Sequence, residues 1–218
     1  MSINKALKID FVSDVACPWC AVGLASLERA LEKLGGDVPV EVRFQPFELN
    51  PQMGPEGQDV AEHLTQKYRS TPEQQAKARE GIAQRGAEVG FAFRKGGRGR
   101  VWNTFDAHRL LTWAGEQGGS RQRDLKMALL QSYHGEGRSP ADQAVLLDVV
   151  ESVGLDRAAA QEVLESGRYA DEVRQAEQHF QQLGIHAVPS VIVNGKHLIQ
   201  GGQPPEVFEQ ALRQIASA

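Results

Sequence analysis

The sequence predicts an α/β fold: strands from the two ends of the chain with a large all-helical insertion after the second strand. Three observations predict it. The N-terminal segment reads strand, helix, strand, with Cys17 and Cys20 at the start of the helix. From about Val60 to Leu183 the apolar residues recur at helical spacing with almost no strand signal. Strand character then returns at Ser190-Val191-Ile192-Val193, followed by Asn194-Gly195, a two-residue hairpin signal, and a closing helix.

The first strand is read from Leu7, Ile9 and Phe11, which alternate with polar neighbours as one face of a strand does. After Cys17-Pro18-Trp19-Cys20 a helix is expected. Pro18 suits its first turn, where the missing N–H leaves no bond unmade; Val22, Leu24, Leu27, Leu31 and Leu34 give its apolar stripe, and Gly35-Gly36 ends it. A second strand is expected over Val38 to Phe47, where Val40, Val42, Phe44 and Pro46 alternate. Thr71-Pro72-Glu73-Gln74 has the pattern of a capping box. Helices follow over Asn103–Ala114, Lys126–Tyr133, Pro140–Val153, Asp156–Ser166 and Tyr169–Leu183, with Ser139-Pro140-Ala141-Asp142 as a start and Gly154 as a stop. The return strand is Lys196–Ile199, and the hairpin is expected to be buried. The last helix should bury Val207, Phe208, Leu212 and Ile215. This divides the chain into residues 1–55, a helical insertion over 56–178, and residues 179–218 returning to the sheet.

The 218 residues carry a net charge of −4, with 41% hydrophobic and 24% charged side chains, which gives no electrostatic reason to expect nucleic acid or an anionic membrane as partner. Met1 to Leu7 is polar and lacks the apolar core of a secretory leader, so a cytoplasmic protein is expected. Only two cysteines are present, three positions apart. In a reducing compartment such a pair points to catalysis or metal binding more than to a structural staple.

A Cys-x-x-Cys across the first turn of a helix suits dithiol chemistry. The sulfurs can close a small ring, and the free N–H groups of the helix start favour thiolate over thiol. Cys17, the more accessible, would attack a disulfide, and Cys20 would resolve the mixed disulfide. Zinc needs two further ligands, and His63, His108, His134, His179, His186 and His197 include no pair at the spacing a zinc half-site uses, so no metal is expected. Far downstream, Val188-Pro189 opens the late strand. Such a proline, if cis, would turn the chain beside the thiols, and the Val188 backbone could pair with an extended substrate.

With these residues in hand, the chain resembles the DsbA-like thioredoxin family, and within it the cytosolic FrnE-like branch related to 2-hydroxychromene-2-carboxylate isomerases. The carriers are Cys17-Pro18-Trp19-Cys20, the helical insertion, Val188-Pro189 and the run Asn103-Thr104-Phe105-Asp106-Ala107-His108-Arg109-Leu110. The resemblance implies a thioredoxin fold with a mixed four-stranded sheet and a cis Val188–Pro189 bond. It implies exchange of disulfides in proteins or small molecules without a bound cofactor, glutathione being a candidate co-substrate. Pro18, Trp19, Val188 and Pro189 would then contact substrate, in a cleft between the sheet and the insertion. Where DsbA carries histidine this chain has Trp19, which cannot hold charge, so a less oxidising pair is expected. Isomerase relatives usually carry serine at the first cysteine position.

Other residues have two readings each. Asn103 reads as a helix cap or a substrate contact, His108 as a core group or a site residue. His186 reads as an exposed loop histidine or a neighbour of Cys17, Asp14 as a solvated acid or a carboxylate that raises the thiol pKa. Lys95-Gly96-Gly97-Arg98-Gly99-Arg100 reads as a solvated loop or a patch for an anionic group such as a glutathione carboxylate. Besides dithiol exchange, a glutathione-dependent isomerase or transferase using Cys17 alone and a noncatalytic chaperone-like module stay open.

Overall fold

A computed structural model of the chain describes residues 6–217; Met1–Lys5, part of the polar N-terminal stretch, lie outside the described residues. Strand β1 (Leu7–Ser13) leads into helix α1 (Pro18–Leu34), and the chain returns as β2 (Val40–Pro46). β1 pairs in parallel with β2, placing Phe11 opposite Phe44. The late hairpin β5 (Ser190–Val193) and β6 (His197–Gln200) joins β1 from the other side, antiparallel, giving a mixed four-stranded sheet in the order β2-β1-β5-β6. Helix α9 (Pro205–Ala216) closes the chain and packs on α1.

The period-2 pattern of β1 sorts its side chains onto two cores. Leu7, Ile9 and Phe11 pack with Val22, Leu27, Phe208 and Leu212 under α1 and α9. Val12 faces the opposite side with Phe47, Phe180 and Ile192. One face of β1 is thereby fully covered, while the other, with Lys8 exposed and Asp10 half-buried, is covered at its Val12 end.

Between β2 and β5 the chain forms α2 (Val60–Tyr68), α3 (Pro72–Val89), α4 (Phe105–Glu116), α5 (Arg121–Leu130), α6 (Gln143–Ser152), α7 (Arg157–Ser166) and α8 (Ala170–Gln182). The Thr71/Gln74 capping box of α3 is formed in both directions. A third core, built from α4 to α7, contains Leu110, Leu125, Leu129, Tyr133 and Leu146, and it also takes in Val15 and Ala16 from the loop before Cys17. The helical segment therefore packs directly on the loop that presents the cysteines.

Four local expectations are corrected. A two-residue ladder, β3 (Gln58–Asp59) with β4 (Arg100–Val101), interrupts the helical segment; it is too short to show an alternating pattern. Helix α6 is capped by Asp142, which accepts from Ala144 N, while Ser139 Oγ accepts from Ala141 N one turn earlier. Val207 is exposed because the buried stripe of α9 runs through Pro205, Phe208, Leu212 and Ala216. The hairpin is buried only in β5, since β6 is the sheet edge and mostly exposed. Helix α5 also runs on into one wide π turn, Gln131–Glu136, which carries His134.

Candidate active site

Cys17 is the N-cap residue of α1, in extended backbone, with Pro18 as the first helical residue. The Cys20 amide donates to the Cys17 carbonyl at 3.1 Å, closing the first turn and setting both thiols at the positive end of the helix. Both are free thiols, Cys17 5% and Cys20 0% exposed. Trp19 between them is 40% exposed.

Opposite the motif stands the start of β5. The Val188–Pro189 peptide bond is cis. The Cys17 thiol donates to the Val188 carbonyl at 3.6 Å. The second turn of α1 approaches the same loop so closely that a Cβ on Gly23 would lie 2.9 Å from Pro189 Cγ. Cys17, Cys20, Val188 and Pro189 are thus brought together from sequence positions more than 160 apart, the Cys17–Val188 separation being 171.

The two thiols are held in different states. The Cys17 thiol titrates below the usual cysteine range, first because the Cys20 thiol donates to its sulfur, then against burial, with the Cys20 amide and the Arg98 charge helping and Asp14 opposing. Cys20 is pushed well above that range by burial first and then by the neighbouring Cys17 sulfur; Lys126 and the Asp14 backbone pull the other way. This asymmetry favours one thiolate nucleophile and one protonated partner.

Asp14 is not a solvated acid. It is fully buried and joins three segments, its own loop, the loop at Leu49 and the start of α4: Oδ1 accepts from Thr104 Oγ1 at 2.7 Å and from Ala16 N at 3.0 Å, Oδ2 accepts from Leu49 N at 2.7 Å, and His108 Nε2 lies 3.4 Å from Oδ1 without hydrogen-bond alignment. Burial pushes its pKa up, but His108 and these donors outweigh it and hold the carboxyl below the ordinary range. His108 is therefore a buried neighbour of Asp14. Asn103 is half-buried; its Oδ1 accepts from Phe105 N at 2.8 Å and its Nδ2 donates to Glu48 Oε1 at 3.3 Å, so it shapes the start of α4 with Thr104 in the cap position. His186 is exposed, and among the described residues no hydrogen bond ties it to the thiols.

The basic glycine-rich run is more than a solvated loop. Arg98 is half-buried, donates to the Ala16 carbonyl at 2.5 Å and lies 5.6 Å from the Tyr133 ring. His134 places Nε2 2.9 Å from the Val15 carbonyl, which requires the proton on that nitrogen. Burial, followed by the Arg98 charge, pushes its pKa down to about 3, so it is neutral. On the outer side Tyr68 of α2 is exposed, and its pKa is raised by partial burial and then by the charge of Cys17. A cleft lined by Leu49, Met53, His63, Lys67 and Arg100 opens next to this region. Among the described residues no three His, Cys, Asp or Glu are grouped to hold a metal ion, and no helix is long and apolar enough to cross a membrane.

Sequence reasoning missed Lys126 altogether. It is 0% exposed and its Nζ has no hydrogen-bond partner among the described residues. Its signal was available: Lys126, Leu129, Leu130 and Tyr133 recur at i, i+3, i+4 and i+7, which places a cation on an apolar stripe.

Comparison with known proteins agrees with this fold. The model of the DSBA-like thioredoxin domain matches residues 8–213. The curated "Uncharacterized protein YwbO" of Bacillus subtilis (strain 168) is 30% identical over 217 residues, 94% of each chain. The crystal structure of a "probable DsbA oxidoreductase" from Streptomyces coelicolor is 36% identical with a TM-score of 0.87, covering 95% of this chain and 89% of that one. The "cytosolic disulfide reductase DsbM" from Pseudomonas aeruginosa, solved with GSH, shares the fold at a TM-score of 0.67 and 18% identity, covering 97% of this chain and 100% of that one. The chain belongs to the DSBA-like thioredoxin domain family.

Proposed function

We propose that the protein is a thiol-disulfide oxidoreductase in which Cys17 is the attacking thiolate and Cys20 the resolving thiol. The observation that carries this reading is the unequal pair itself: one sulfur at the helix start, eased toward thiolate and facing the Val188 carbonyl, the other enclosed and held as thiol. Cys17 attacks a substrate disulfide and forms a mixed disulfide. Cys20 then attacks Cys17 Sγ, and the substrate leaves as a thiol. The Val188 carbonyl, which accepts from the resting Cys17 thiol, is free to accept from a substrate backbone amide once Cys17 is engaged. Trp19 and Pro18 form the rim that such a substrate crosses. The chemistry needs no cofactor beyond the two cysteines, and the substrates are disulfides or thiols of proteins or small molecules.

A second reading is favoured by one observation. Arg98 brings a cation to the residue before Cys17, where the carboxylate of a small thiol such as glutathione would be attracted. The DsbM structure with GSH supports glutathione as a co-substrate, and with the likeness to the FrnE-like branch it supports a cytoplasmic setting. Reduction of insulin by dithiothreitol tests the main reading. Wild type should speed insulin precipitation, and Cys17→Ser should not. If neither does so, while glutathione mixed disulfides are turned over, the small-thiol reading replaces it.

A further inference from the structure

Lys126 is an unusual residue to find in this interior. It is fully buried, and its ammonium nitrogen has no hydrogen-bond acceptor among the described residues. A buried charge without such a partner is destabilising. Helix α5 packs on α1, the helix that carries Cys20, and on β2. Its neighbours Met127 and Leu130 belong to the core under α1, while Leu125 and Leu129 belong to the core that takes in Val15 and Ala16. Lys126 therefore sits at the seam where the two cores meet behind the cysteines.

The charged and titratable groups around that seam are few. The charges of Cys20, Asp14 and Cys17 favour the protonated form of Lys126, against the burial that opposes it, and Lys126 in turn disfavours a proton on His134. Arg98 acts on Cys17, and Lys126 acts first on Cys20 and more weakly on Cys17. The pair thus has two cations beside it, one near the surface and one in the interior.

We propose that Lys126 is the buried counter-charge for Cys20, a positioning residue that makes Cys20 a competent resolving nucleophile. The proposal rests on the dithiol reading above. When Cys17 is joined to substrate, Cys20 gives up its S–H proton to solvent, and the Lys126 ammonium stabilises the thiolate that forms. The Cys20 thiolate attacks Cys17 Sγ; the Cys17–Cys20 bond forms as the Cys17–substrate bond breaks. The substrate sulfur leaves as thiolate and takes a proton from solvent. The cysteine pair is oxidised by two electrons and the substrate disulfide is reduced. In the reverse direction, the ammonium stabilises Cys20 as the leaving thiolate.

The reaction of the reduced protein with the chromogenic disulfide dithiobis-nitrobenzoate separates the two steps. The first coloured thiolate reports attack by Cys17 and the second reports resolution by Cys20. In Lys126→Met the first phase should keep its rate and the second should slow by at least about threefold; each tenfold loss of thiolate fraction costs only about that much, because the remaining thiolate is more nucleophilic. The melting temperature should not fall, since the substitution removes a buried unpaired charge, and Lys126→Gln provides a second neutral variant. In a Cys17→Ser background, the Cys20 Cβ resonance should titrate at higher pH when Lys126 is replaced. An unchanged second phase, or an unmoved Cys20 titration, overturns the proposal. Absence of a second thiolate from wild type would instead refute the dithiol reading itself.

Discussion

The guanidinium of Arg98 donates to the carbonyl of Ala16 at 2.5 Å, fastening a loop from the helical segment to the residue that precedes Cys17. The same cation lowers the Cys17 pKa, after the larger effects of Cys20 and burial. Arg98→Met should therefore move the pH profile of iodoacetamide alkylation at Cys17 upward and slow alkylation at neutral pH by about two- to fourfold, the loss of thiolate being partly offset by its greater nucleophilicity. It should also cost about 1–2 kcal/mol of stability through the lost charged hydrogen bond. An unchanged alkylation profile would show that Arg98 only tethers the loop.

Trp19 offers no charge to the Cys17 thiolate and stands 40% exposed at the motif. Trp19→His should lower the Cys17 pKa and make the pair more oxidising, because an imidazolium favours the reduced thiolate form. Equilibration of wild type and variant with glutathione redox buffers checks this; a variant potential equal to or more reducing than wild type contradicts it.

Gly23 allows α1 to lie against the Pro189 loop, where an added Cβ would meet Pro189 Cγ at 2.9 Å. Gly23→Ala should force that loop outward, at a cost of about 1–3 kcal/mol for overpacking. Exchange at Cys17 should slow as the Val188 carbonyl moves away. Urea unfolding and alkylation rate report the two effects, and wild-type values for both would show that the loop yields freely.

His134 gives the fold a dependence on acid. Its folded pKa of about 3 lies below the ordinary histidine value of 6.5. The unfolded chain takes up a proton that the folded chain refuses, so the contribution is fully present above pH 6.5 and is lost as pH falls from there toward 3, by an amount on the order of 4 kcal/mol. His134→Gln keeps a donor for the Val15 carbonyl but cannot titrate. Its stability should be lower at neutral pH by about 1–2 kcal/mol and vary less between pH 6.5 and 4.5. Equal slopes for the two proteins in urea titrations over that range would contradict this account.

Much of the fold could be read from residue patterns. Alternation in Leu7, Ile9 and Phe11, the glycine stop after Leu34 and the Thr71 capping box each expressed a local rule that packing did not override. The cysteine pair was legible for the same reason, since a strand before it and Pro18 after it fixed its place at a helix start. Asn194-Gly195 forms the turn, both at positive φ, but Val193 pairs with His197, so the connection has three residues and the return strand is His197–Gln200 instead of Lys196–Ile199. The groups that tune the pair were less legible. Asp14 reads as an ordinary strand-end acid until the loop at Leu49 and the start of α4 at Thr104 close over it. Glu48 and Glu177 meet through Arg174 across a separation of over a hundred residues, and burial raises the pKa of both carboxyls. Such clusters depend on which helix faces the motif, and periodicity gives the face of a helix without its neighbour.

The most direct test of the central claim is to react Cys20→Ser with a peptide disulfide or oxidised glutathione and map the product by mass spectrometry. The account predicts a stable mixed disulfide on Cys17 in the variant, whereas wild type under the same conditions releases the thiol and holds a Cys17–Cys20 disulfide. A variant that forms no adduct on Cys17, or a wild type that accumulates the same adduct as the variant, would contradict a dithiol mechanism for this protein.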